Sequence, residues 1–90
     1  MSEADKMFKE LGYEKDVGEA FGVVRYKHIK EDYYIRFYLR DRTFDANRIS
    51  KNKIFPLEID YKLLQAINKK FQELERSYEW SRWDVWKVRL

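Results

Sequence analysis

Between Tyr33 and Arg40 the chain reads Tyr-Tyr-Ile-Arg-Phe-Tyr-Leu-Arg. Successive side chains on a strand face opposite sides, so this alternation separates Tyr33, Ile35, Phe37 and Leu39 from Tyr34, Arg36, Tyr38 and Arg40. The first set requires a hydrophobic core. The second is a ladder of phenol and guanidinium groups suited to water or to a flat or anionic ligand. A helix would scatter both sets around its circumference, so the segment predicts the central strand of a sheet with one dry face.

Two amphipathic helices supply the cover for that face. Ser2 is an N-cap candidate with Asp5 three positions on, and Ala4, Met7, Phe8 and Leu11 recur at helical spacing before Gly12. Tyr13 then folds back on the last turn. Near the other end, Asp60 caps a second helix whose stripe is read as Leu64, Ile67, Phe71, Leu74 and Tyr78, with Leu63 beside it. Lys62, Lys69, Lys70, Gln72 and Glu73 are assigned to its remaining faces. Glu14 to Gly22 reads as a polar connector and Val23 to Ile29 as the first strand, with Val24 and Tyr26 inward and Arg25 and Lys27 outward. Lys30-Glu31-Asp32 and Asp41-Arg42 make tight turns, Thr43 to Arg48 is a third strand, and Ser50 to Lys53 a loop. Ile54-Phe55 adds a short edge strand that Pro56 stops. Short links enforce antiparallel neighbours. The expected fold is therefore α+β, a three- to four-stranded antiparallel meander with two helices on one face in αβββα order. It forms a single domain over residues 1–79, followed by a Trp-rich tail, residues 80–90, packed on it.

Ninety residues leave room for one domain, and an aromatic share of 18% supplies large side chains for a small core. With no cysteine there is neither a disulfide framework nor a thiolate metal site. No apolar run approaches the roughly 18 residues of a membrane span, and the charged start is unlike a signal peptide, so a cytoplasmic protein is expected. The net charge of +3 is uneven: residues 21–57 hold nine Lys or Arg against four acids. That excess is below what a dedicated nucleic-acid binder carries.

Catalysis has little support. His28 is the only histidine, the hydroxyl residues lie in no nucleophile motif, and the carboxylates are scattered among lysines. No metal-ligand spacing or phosphate-cradling loop is present, so neither enzyme activity nor a cofactor is expected. The candidate binding residues are Arg25, Lys27, Tyr34, Arg36, Tyr38 and Arg40 on the outward strand face. Rings that stack on bases and cations that meet phosphates are how single-stranded nucleic acid is held. Tyrosine and arginine are equally the residues of protein interfaces. As good strand formers they also suit a plain solvated face. The tail contributes Trp80, Trp83 and Trp86 with Val85, Val88 and Leu90. This much apolar area completes the core, covers the sheet face, or marks a homodimer or partner interface.

Three stretches resemble a family of small, mostly uncharacterised proteins encoded by phages and prophages of Gram-positive bacteria. They are Ala4-Asp5-Lys6-Met7-Phe8-Lys9-Glu10-Leu11-Gly12-Tyr13-Glu14, the Thr43-Phe44 strand, and Leu64-Gln65-Ala66-Ile67-Asn68-Lys69-Lys70. The resemblance covers residues 4–75, and its motifs are structural. Members often end after the second helix with Leu-Gly-Trp, whereas here Leu74 is followed by Glu75 and Arg76. The resemblance implies a phage accessory protein in the bacterial cytoplasm. It is expected to be a protein-binding module directed at a host or phage protein, such as a defence or replication factor. Single-stranded nucleic-acid binding and self-association are the alternatives.

Overall fold

A computed structural model describes residues 2–17 and 22–76. The order is α1 (Glu3–Glu10), β1 (Tyr13–Val17), β2 (Val23–His28), β3 (Tyr33–Tyr38), β4 (Thr43–Ser50), β5 (Lys53–Pro56) and α2 (Tyr61–Arg76). The strands form one antiparallel sheet in the order β1-β2-β3-β4-β5, so each strand pairs with its neighbour in sequence. The fold is α+β, with five strands where the sequence pattern indicated three or four.

The extra strand is β1, in a segment read as connector. Glu14, Lys15 and Asp16 give it no apolar alternation. Its place comes instead from backbone pairing with β2, in register Tyr13 with His28 and Lys15 with Tyr26. Asp16 is the extra residue of a bulge, since Lys15 pairs with Tyr26 and Val17 with Arg25. The β4–β5 connection also differs from expectation. The loop shrinks to Lys51-Asn52, both at positive φ (51° and 63°), the conformation of a two-residue type I′ hairpin turn. β4 consequently runs two residues further toward the turn, to Ser50, and β5 begins one residue earlier, at Lys53.

The parity of β3 sets the core. Ile35, Phe37 and Leu39 are fully buried, as are Val24 and Tyr26 beside them on β2. From α1, Phe8 stacks on Tyr26 with ring centroids 4.1 Å apart, and Phe37 meets Phe71 of α2 edge-on at 5.2 Å. The two helices lie together on this face. The Ala4 amide donates to Glu73 Oε2 at 2.9 Å, and Lys69 pairs with Glu3. Ser2 caps α1 by accepting from the Asp5 amide, and Gly12 ends it at φ 91°. Asp60 caps α2 through the Leu63 amide.

The buried side of α2 is rotated from the expected stripe. Leu63, Ala66, Ile67, Lys70 and Leu74 are buried, whereas Leu64 is exposed. Lys70, assigned to the solvent side by its charge, is only 5% exposed. Its Nζ lies 5.9 Å from the Tyr26 ring centroid and is electrostatically coupled to Asp5. The residue is buried with its ammonium over a ring face and within the field of a carboxylate, which is how a lysine tolerates an interior position. Tyr78 and the tail with its three tryptophans lie outside the described residues.

Candidate binding face

The sheet side away from the helices is arranged in cross-strand rows. One row runs Glu14, Lys27, Tyr34, Asn47, Pro56, and the next has Arg25 opposite Arg36 and Arg36 opposite Asp45. Arg25 and Lys27 on β2 and Tyr34, Arg36 and Tyr38 on β3 thus share one surface at the centre of the sheet. Arg40 is not part of it: β3 ends at Tyr38, and Arg40 is exposed in the turn that follows. Leu39 holds the inward parity by donating its amide to the Gly22 carbonyl, and the chain then turns through Arg42 at φ 55°. Trp80, Trp83 and Trp86 lie outside the described residues.

Two arginines directly opposite one another repel, and the fold relieves this with a carboxylate on each flank. Arg25 donates Nε and Nη2 to the two carboxylate oxygens of Asp16 at 2.9 and 2.8 Å. Arg36 does the same to Asp45 at 3.0 and 3.1 Å. These parallel two-point pairs fix each guanidinium plane. The Tyr38 hydroxyl donates to Asp45 Oδ2 at 2.7 Å. Burial, then the bond to Asp45, raises the Tyr38 phenol above its ordinary value, and the Asp16 bond raises Arg25. Asp16, Arg25, Arg36 and Asp45 therefore form a charge-balanced strip across β1–β4.

The ring of Tyr34 is also engaged. Arg25 Cζ lies 5.3 Å and Lys27 Nζ 5.5 Å from its centroid, within cation–π range. Beside it, Arg25, Tyr34, Arg36, Asn47, Ile49 and Ile54 line a shallow depression of about 180 Å³. Ile49 and Ile54 are cross-strand partners, 39% and 69% exposed. Continuing the β1–β2 ladder, the Ile29 amide bonds to Gly12 O, and by parity Ile29 (60% exposed) belongs to the same outward row. The face therefore ends in a row of three exposed isoleucines, broken just before β3 by Asp32, whose carbonyl accepts from the Ile49 amide.

Residue patterning missed the partners of the arginines. The outward face of Asp45 follows from Phe44 and Ala46 facing inward, but its place beside Arg36 comes from the β3–β4 register. Asp16 was hidden because its strand was. Ile29 reads as the last residue of an ordinary strand and Ile49 falls between the expected strand and loop, and only the common register gathers them with Ile54.

Both sheet edges are blunted. β1 carries Glu14, Lys15 and Asp16 with a bulge, and β5 has four residues and closes on Pro56. The broad face, not an edge, is the surface on offer. Among the described residues, no helix is long and apolar enough to cross a membrane, and no group of three or more His, Asp or Glu side chains could hold a metal ion. Comparison with protein-family models, curated proteins and solved structures found no significant match.

Proposed function

We propose that this protein is a non-enzymatic protein-binding module that uses the outward sheet face. The observation that carries this reading is the joining of exposed Ile49 and Ile54 to a fixed Arg25–Tyr34–Arg36 group in one shallow depression. Arginine and tyrosine beside apolar side chains are the groups that anchor protein interfaces. The pairing of both arginines with carboxylates favours a protein over a nucleic acid. A polyanion would have to displace Asp16 and Asp45, or bring its phosphates up against them. The phage accessory role rests on the sequence resemblance alone and is proposed as the setting in which such a module acts.

The test is affinity capture with wild type and with Tyr34→Ala and Ile54→Asp variants whose spectra confirm folding. A protein partner held by wild type and lost by both variants supports the reading. A partner held equally by all three, or recovery of nucleic acid in its place, overturns it. A second copy of the chain as the captured partner would convert the module into a self-associating one.

A further inference from the structure

We infer that the recess between the β2–β3 end of the sheet and the start of α2 is a binding site for a primary alkylammonium group. The recess, of about 180 Å³, is lined by Leu11, Tyr13, His28, Tyr33, Leu57, Glu58, Asp60 and Leu63. It is distinct from the outward face and plays no part in the function proposed for that face.

The first observation is the Tyr13 side chain, only 5% exposed. Among the described residues its hydroxyl has no hydrogen-bond partner, although Tyr26 and Tyr38 both donate to carboxylates. Buried phenols are normally paired, and an unmet one calls for an explanation. Tyr13 lines the recess, and its phenol feels the charge of Tyr33 and Asp60, which line the same recess. Burial first, then the neighbouring Tyr33 and Asp60, push the phenol up to about 12, so it stays protonated at neutral pH and keeps its oxygen as an acceptor.

The second observation is the wall chemistry. Tyr13, His28 and Tyr33 meet in sequence, nearly edge-on, with centroids 5.0 and 5.5 Å apart. The His28 ring is held in place by its Nδ1, which accepts the Lys30 and Glu31 amides. Aromatic faces attract cations. Glu58 and Asp60 add two exposed carboxylates, and among the described residues no lysine or arginine lines the recess. Asp60 offsets the positive end of α2 that it caps, and Glu58 adds negative charge beyond that. These groups select a cation over an anion. The unmet phenol oxygen selects a cation with N–H bonds over a quaternary one, and Leu11, Leu57 and Leu63 accommodate its alkyl chain.

The experiment is an NMR titration of the full chain with n-butylammonium, tetramethylammonium and n-butanol at constant ionic strength. A parallel titration uses Nα-acetyl-lysine N-methylamide. Saturable shifts of the Tyr13, His28 and Tyr33 ring signals are expected with n-butylammonium, with binding at least about ten-fold tighter than for the other two small probes. Acetyl-lysine methylamide binding as well as n-butylammonium identifies a lysine side chain of a partner as the source; weaker binding identifies a free amine. Asp60→Asn, which preserves the helix cap, and Tyr13→Phe, which preserves the ring, should each weaken binding about ten-fold. Equal shifts with n-butanol, absence of a saturable shift, or wild-type affinity in folded Asp60→Asn would overturn the assignment. The last outcome holds even if Tyr13→Phe fails to fold.

Discussion

Removing the carboxylates that flank the arginine pair tests whether the outward face is electrically silent by design of its pairing. In Asp45→Asn, the side chain keeps one acceptor for Tyr38 or Arg36 but loses its charge and the two-point fork. The Arg36–Asp45 pair is more than one-third exposed on both sides, so its loss is worth about 0.2–1 kcal/mol. Weakening the Tyr38 bond adds a share of the about 0.5–1.5 kcal/mol typical of a hydrogen bond. A total near 1 kcal/mol lowers the thermal midpoint by about 4–8 °C in a domain of this size. Adding Asp16→Asn leaves Arg25 and Arg36 facing each other with neither carboxylate beside them. The double variant should then acquire affinity for a labelled oligothymidylate, measured by fluorescence anisotropy across a salt series. With two phosphates engaged, the logarithm of the binding constant falls against the logarithm of salt with a slope of about −1.4. Wild type should show no such binding. If wild type already binds with a steep salt dependence, or the double variant gains nothing, the argument that pairing silences these arginines is refuted.

The remaining predictions concern stability. Burial alone would raise the Asp5 carboxyl, but the Tyr26 hydroxyl bond, Lys15 and Lys70 outweigh it and hold the group below its ordinary 3.8. The stability this contributes is present above pH 3.8 and lost as pH falls through the lowered folded value, because the unfolded chain binds the proton first. Thermal midpoints measured from neutral to acid pH should converge for wild type and Asp5→Asn, with the variant weaker by about 1–2 kcal/mol at neutral pH; parallel curves would refute it. Gly12→Ala should cost about 1–3 kcal/mol by chemical denaturation, because the residue is at φ 91° and its new Cβ would approach His28 Nε2 to 2.6 Å. An unchanged midpoint would show that the turn relaxes without penalty.

What the chain's pattern made legible was wherever apolar and polar residues alternate without ambiguity. The β3 octapeptide fixed the dry face, and Ser2, Gly12 and Asp60 marked helix ends because their local chemistry suffices. β1 was illegible because a strand of Glu, Lys and Asp declares itself only through its neighbour's backbone. The charge of Lys70 points to solvent, while the surroundings that hold it inside, Tyr26 on β2 and Asp5 on α1, come from distant sequence. Leu64 misled for the converse reason: the helix stripe is wider than its contact, and docking against both α1 and the sheet selects the Leu63–Ala66 side. The arginine ladder was visible, but its neutralisation by Asp16 and Asp45 needed the register of four strands.

The clasp between the helices has a consequence for how the chain assembles. Every strand finds its partner across a short connection, but the Ala4–Glu73 bond joins groups 69 positions apart. Closing so long a loop costs entropy that no single hairpin incurs, and each further doubling of its length adds only about 0.6 kcal/mol. The meander can therefore zip progressively, while the core is sealed only when the first and last helices meet. Extra residues inserted at a hairpin tip, such as Lys51-Asn52, would lengthen that closure at little cost, whereas trimming either helix removes the lid itself.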